Sequence, residues 1–259
     1  MPNDKFTVLF LGDVIGKPGR RAVAEYLQKT RADFVVINGE NLAGGIGITS
    51  RTATEMLALG INAITTGNHV WKKKEVATYL MEEERVIRPL NYPGGTPGFG
   101  YTIVKKNDLS LCVANIEGRI FMNSLDCPFR AMEEFLEVKK PQMPVIVDFH
   151  AEATSEKIAM GWFLDGKVTA LMGTHTHVQT SDNRVLPKGT GYITDAGMTG
   201  PADSVIGMDK KGVLERFYTQ MPQKFEVGKE DIEVQGVLLT IERNGNKCLD
   251  ITRIREKIA

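Results

Sequence analysis

Five short apolar runs in this chain each end at a side chain able to bind a metal. FTVLFLG (6–12) leads to Asp13, and DFVVING (33–39) leads to Glu40 and Asn41. NAITTGN (62–68) ends at Asn68 and is followed by His69. PVIVDFH (144–150) ends at His150, and VTALMG (168–173) leads to Thr174, His175, Thr176 and His177. Apolar runs this short, bounded by glycine and polar residues, read as buried strands. Between the first three lie segments with helical spacing, RRAVAEYLQKT (20–30), RTATEMLALG (51–60) and KKKEVATYLMEEE (72–84). Strands alternating with helices imply parallel pairing with crossover connections, hence an α/β fold.

The middle of the chain differs. GYTIVKKNDLSLCVANIEG (100–118) reads as a hairpin turning at Asn107–Asp108. A helix is predicted at 128–140 and another at 155–164, with further strands at 191–197, 234–242 and 248–254. NYPGGTPGFG (91–100) reads as a surface loop. With no internal repeat and no low-complexity linker, 1–259 is expected to be a single domain with a mixed β core, arranged as one sheet or as two packed sheets. Lys+Arg and Asp+Glu both number 32, so no global excess of positive charge draws in a polyanion. Three scattered cysteines form no CxxC pair, which suits a reducing compartment. The apolar run near the N-terminus is too short for a signal peptide or a membrane span, so a cytoplasmic protein without membrane association is expected.

In an α/β sheet, ligands bind outside the carboxyl ends of the strands. An Asp or Asn after a strand is usually a turn former, and a lone histidine usually a structural hydrogen-bonding residue. Turn formation does not explain why all four histidines of the chain fall in this set. Mixed oxygen and nitrogen donors without cysteine suit a hydrolytic transition-metal site and not a structural thiolate zinc site. Asp13, Glu40, Asn41, Asn68, His150, His175 and His177 make seven candidates. Seven suffices for two ions with a shared ligand, and two ions about 3.5–4 Å apart form a clamp for phosphoryl hydrolysis.

The order GD (12–13), GEN (39–41), GNH (67–69), His150 and GTHTH (173–177) resembles the calcineurin-like metallophosphoesterases. Together with TDAGMTGP (194–201) and SVIGM (204–208), it resembles more narrowly their bacterial YmdB-like phosphodiesterase subfamily. The resemblance implies a four-layer α/β/β/α sandwich with mixed sheets. It implies a dinuclear centre bridged by Glu40, with Asp13, Asn41 and His177 on one ion and Asn68, His150 and His175 on the other. His69 would be the general acid. A metal-bridging hydroxide would attack a phosphodiester, with 2′,3′-cyclic nucleotides or RNA ends as substrates, and family members commonly self-associate into homo-oligomers. The broader superfamily begins with Asp-x-His, whereas Asp13-Val14-Ile15 stands here. Trading an imidazole for the amide oxygen of Asn41 favours iron or manganese over zinc, although all three fit chemically.

Arg119 and Arg130 are candidate phosphate or base contacts, against the plainer reading of solvated charges. GDVIGKPGRR (12–21) is no phosphate loop, because its spacing is short and Pro18 replaces the hydroxyl residue. Three other readings stay open beside the phosphodiesterase. They are a phosphomonoesterase, a metal-binding regulatory or scaffold protein with little turnover, and a metal-free nucleotide-binding module.

Overall fold

A computed structural model describes residues 4–243 and 245–258. Its strands are β1 (Lys5–Leu11), β2 (Asp13–Val14), β3 (Phe34–Asn38), β4 (Ala63–Thr65), β5 (Tyr101–Lys106), β6 (Leu109–Glu117), β7 (Val145–His150), β8 (Ala170–Thr174), β9 (Arg184–Val185), β10 (Gly191–Ile193), β11 (Met198–Pro201), β12 (Ile232–Glu242) and β13 (Cys248–Lys257). The helices are α1 (Gly16–Lys29), α2 (Ser50–Leu57), α3 (Val76–Glu82), α4 (Pro128–Lys139), α5 (Thr154–Leu164) and α6 (Lys210–Thr219).

Two mixed sheets form. The first runs β2-β11-β12-β1-β3-β4, with β13 also paired to β12. The second runs β5-β6-β7-β8-β10-β9. β1, β3 and β4 are mutually parallel, as are β6, β7, β8 and β10, whereas β12 runs antiparallel to β1.

The alternation of side chains along each strand builds the layers. Val8 and Phe10 of β1 face inward and join Val113 of β6, Ile146 of β7 and Leu239 of β12 in a core between the sheets. Leu9 and Leu11 face outward, against Val23 of α1, Met56 of α2 and Leu80 of α3. On the far side, Ala114 of β6 and Val147 of β7 pack on Phe135 of α4 and Met160 of α5. The result is helix, sheet, sheet, helix. Strands buried on both faces read as unbroken apolar runs, which is why they stand out in the sequence.

Several boundaries differ from the sequence reading, and one helix is unexpected; the strand expected at 191–197 ends at Ile193. α1 starts at Gly16 instead of 20, with Pro18 in its first turn, where a missing N–H costs nothing. The expected helix 72–84 splits into a 3-10 turn at Val70–Lys72 and the shorter α3. α6, which the sequence pattern does not predict, buries only Val213 and turns Leu214, Phe217 and Tyr218 to solvent.

Candidate metal centre

The carboxyl ends of β1, β3 and β4 in the first sheet meet those of β7 and β8 in the second. Asp13 follows β1, Glu40 and Asn41 follow β3, and Asn68 and His69 follow β4. His150 ends β7, while His175 and His177 follow β8. All eight sequence-predicted residues join one continuous set of contacts. Gly67 permits this, because a Cβ there would overlap the His150 ring.

The contacts fall into two halves around Glu40. On one side, Asn41 Nδ2 lies 3.1 Å from Glu40 Oε1 and 3.4 Å from His177 Nε2. His177 Nε2 in turn lies 3.5 Å from Asp13 Oδ1. On the other side, His150 Nε2 lies 3.3 Å from Glu40 Oε2, 2.9 Å from Asn68 Oδ1 and 3.1 Å from His175 Nδ1. Donor atoms of Glu40, His150 and His175 lie within 4.8 Å of one another, a group able to hold an ion. His69 stands at the edge, its Nδ1 2.8 Å from Asn41 Oδ1 and 3.1 Å from Glu40 Oε1. A pocket of about 260 Å³ opens over the set, lined by Glu40, His69, Glu152, His175, His177 and Ile206 among others.

Three of the four imidazole rings are oriented from behind. His177 Nδ1 donates to the Ile206 carbonyl at 2.9 Å, so Nε2 faces Asp13 and Asn41. His150 Nδ1 is 2.9 Å from Thr174 Oγ1, whose hydroxyl donates to Asp148 Oδ1 at 2.6 Å. With that hydroxyl hydrogen committed, His150 Nδ1 is the donor and Nε2 faces the centre. His175 Nε2 lies 3.0 Å from Glu152 Oε2, which makes it the donor and leaves Nδ1 facing inward.

Electrostatically the centre asks for cations. Burial pushes the Asp13 and Glu40 carboxyls up, and the neighbouring imidazoles of His177 and His150 more than offset it, so both are held below their ordinary values. His177 is correspondingly pushed up to about 9 and His150 to about 10, against the cost of burying them. Burial, reinforced by the charge on His150, pulls His175 down to about 4, so it is neutral at physiological pH. Asp13 Oδ1 is buried, and its sole polar neighbour among the described residues is the His177 ring at the long distance of 3.5 Å. An ionised oxygen in that state is costly unless a cation meets it. The donor set therefore fits bound divalent metal, which would displace protons held on the imidazoles.

A family model for YmdB-like proteins matches residues 9–254. The chain belongs to the YmdB-like family. It is 47% identical over 252 residues to a 2′,3′-cyclic-nucleotide 2′-phosphodiesterase of Bacillus subtilis (strain 168), covering 95% of this chain and 96% of that one. Among solved structures, a hypothetical protein from Thermus thermophilus superposes with a TM-score of 0.91 at 43% identity, over 98% of this chain and 100% of its own. A novel phosphatase of Mycoplasma pneumoniae gives 0.91 at 35% identity, over 99% and 95%. The fold is that of the metallophosphoesterases, a group that implies divalent metal ions.

This YmdB-like chain also uses residues that sequence reasoning missed. Asp148, in the middle of β7, accepts from Thr174 Oγ1 and from Asn38 Nδ2 at 2.9 Å, and is also hydrogen-bonded by Thr65. Burial raises its pKa to about 6. Lys157 and Asp195, both buried, pair at 2.7 Å. Asp195 Oδ2 also accepts from Thr176 N at 3.2 Å and Thr176 Oγ1 at 2.7 Å. Thr176 separates two histidines with positive φ, 101° at His175 and 63° at His177. That backbone is uncommon outside glycine and must be held by its surroundings, and the Asp195 clamp is what holds it. The available signal was a charged residue on a buried face, in VIVDFH and in SEKIAMGW.

Proposed function

We propose that this chain, acting as one domain over 1–259, is a dinuclear metal-dependent phosphodiesterase that opens 2′,3′-cyclic nucleotides. One observation carries the reading: Glu40 stands between two half-shells, Asp13–Asn41–His177 and Asn68–His150–His175, at the mouth of a small pocket. The named activity of the Bacillus subtilis relative, at 47% identity, supports it. These seven residues would hold the ions, and Glu40 would bridge them. The donors, two carboxylates, two amides and three imidazoles, favour iron or manganese over zinc. When bound, the ions activate water at neutral pH and neutralise charge on the phosphoryl oxygens.

The remaining work falls to the chain's own groups. In the reaction, water oxygen bonds to phosphorus, the P–O2′ bond breaks, and the 2′ oxygen takes a proton. His69 would supply it. Asn41 Oδ1 and Glu40 Oε1 hold its Nδ1–H, which leaves Nε2 as the nitrogen that exchanges a proton at the pocket. RNA ends bearing the same cyclic phosphate are a larger form of this substrate. The free cysteines support a reducing cytoplasm, and among the described residues no helix is long and apolar enough to cross a membrane. The exposed face of Leu214, Phe217 and Tyr218 on α6 supports self-association, which sedimentation would test.

The test is elemental analysis of freshly purified protein combined with a panel of cyclic nucleotides, bis-p-nitrophenyl phosphate and phosphomonoesters. Two ions per chain and hydrolysis of the diesters are expected. Metal without turnover would leave a scaffold role, and a preference for monoesters would match the phosphatase name of the Mycoplasma pneumoniae relative. Full activity or nucleotide affinity in metal-free protein would overturn the reading.

A further inference from the structure

The pocket over the histidines, at about 260 Å³, is smaller than ordinary small-molecule sites of roughly 300–1,000 Å³. A second recess of about 640 Å³ falls within that range. It lies between the loop after β6, the helix α4 and the segment around Tyr92. Two contacts tie it to the centre. The Gly118 N–H donates to the His150 carbonyl at 2.9 Å, which places Arg119, a lining residue, one step from the strand end that carries His150. Tyr92, in its wall, meets the ring of Trp71 at 5.8 Å, two residues beyond His69.

We propose that this cleft is a second subsite, taking the nucleotide 5′ to the one that carries the cyclic phosphate, so that the preferred substrate is a short RNA ending in a 2′,3′-cyclic phosphate. The inference rests on the phosphodiesterase reading above.

Arg119 and Arg130 come from different elements and line the same cleft. Among the described residues neither guanidinium has a hydrogen-bond or ion-pair partner, since Arg119 is engaged only through its backbone N–H. Two unpaired guanidinium groups converging on one recess suit a phosphate. The loop that carries Arg119 is fixed in place. Glu156, at the start of α5, accepts from the backbone N–H of Arg119 at 3.1 Å and of Ile120 at 3.3 Å. The same loop presents Phe121, 90% exposed, with φ of 61°. Phe121 lies outside the lining of the cleft but follows Arg119 by two residues, and an exposed aromatic ring on such a loop offers a surface on which a base can stack, because every base offers a π-face. Asp126 and Glu134 also line the cleft, and the chain carries no net charge, so the subsite is local and suits one or two nucleotides in place of a long track. Ribose is required by the chemistry, since only a 2′ oxygen closes the cyclic phosphate.

The experiment compares 2′,3′-cyclic AMP with the trinucleotide ApApA ending in a 2′,3′-cyclic phosphate, on the metal-loaded protein. The trinucleotide should have a kcat/KM about tenfold higher, mainly through KM. Arg119→Ala/Arg130→Ala should reduce that advantage to about twofold or less while leaving the mononucleotide within about twofold of the unaltered protein. Phe121→Ala should remove part of it. All three side chains are exposed, and unchanged thermal unfolding would confirm that the variants fold. Equal kcat/KM for the two substrates, or equal loss of both in the double variant, overturns the subsite alone. No turnover of either substrate or of bis-p-nitrophenyl phosphate overturns the phosphodiesterase reading beneath it.

Discussion

The two sheets bring different chemistry to one place. Strands β1, β3 and β4 of the first sheet end in oxygen donors, Asp13, Glu40, Asn41 and Asn68, whereas β7 and β8 of the second end in the imidazoles His150, His175 and His177. Asp13 opens the two-residue strand β2, and the other three oxygen donors sit on short loops at the strand ends. The imidazoles are each braced from behind, by Thr174, Glu152 and the Ile206 carbonyl. An imidazole must present one particular nitrogen, so it needs a second partner to fix its tautomer, whereas a carboxylate offers either oxygen. The asymmetry places the electrostatic demand in one sheet and the geometric precision in the other.

Breaking the oxygen half at its centre should have the largest effect. Glu40→Ala should deplete both ions in elemental analysis and lower activity by ~10³-fold or more, given the several kcal/mol that metal ions contribute to phosphoryl transfer. If both ions persist, Glu40 is no bridge. Next in size is the residue that belongs to neither half. His69→Ala should keep full metal content and lose roughly 10²–10⁴-fold in kcat, as expected for a general acid. Unchanged turnover would remove it from the mechanism. The geometric half is tested by Thr174→Val, which cuts the His150–Thr174–Asp148 relay without touching a metal donor. Metal affinity, measured by competition with a chelator, should fall about 10–100-fold, and unaltered affinity would mean that the relay orients nothing.

The smallest effect probes a group between the halves and the cleft. Glu117 pairs across the sheet with His150, and its Oε2 is buried without a partner. Burial raises its pKa from 4.5 to about 7. The folded state therefore keeps a proton that the unfolded state releases, and stability falls as pH rises from about 4.5 to about 7. Glu117→Gln mimics the protonated form, so metal-free protein should gain up to about 3 kcal/mol at pH 8 and almost nothing at pH 4. An equal shift in Tm at both pH values would locate the effect elsewhere.

Most of the site was legible because each donor follows a buried strand, and such strands announce themselves as apolar runs. The bracing was less legible. Thr65 and Thr174 look like ordinary β-branched strand residues, and only the fold reveals that they converge on Asp148 from two different strands, β4 and β8. Asp148 itself was detectable, as a charge inside an otherwise apolar run. β2 and β11 escaped because they are too short for a periodic pattern and exist by pairing with each other and with β12. α6 escaped because its apolar residues do not face the core, so burial gives it no stripe to recognise. The cleft needed the fold outright, since Arg119 and Arg130 read singly as solvated charges.

The turn at His175–Thr176–His177 has a consequence for how the protein meets its ions. Its left-handed backbone is clamped by Asp195 and Lys157, neither of which is a metal donor. The unfavourable conformation is thus stabilised by the fold itself, before any ion arrives. Small zinc domains reverse that order, because there the metal supplies the folding energy. Here any ions would be loaded into a site already formed. Stripping them with a chelator should leave a folded protein that refills directly, so that the cell's metal supply governs activity without governing the protein's survival.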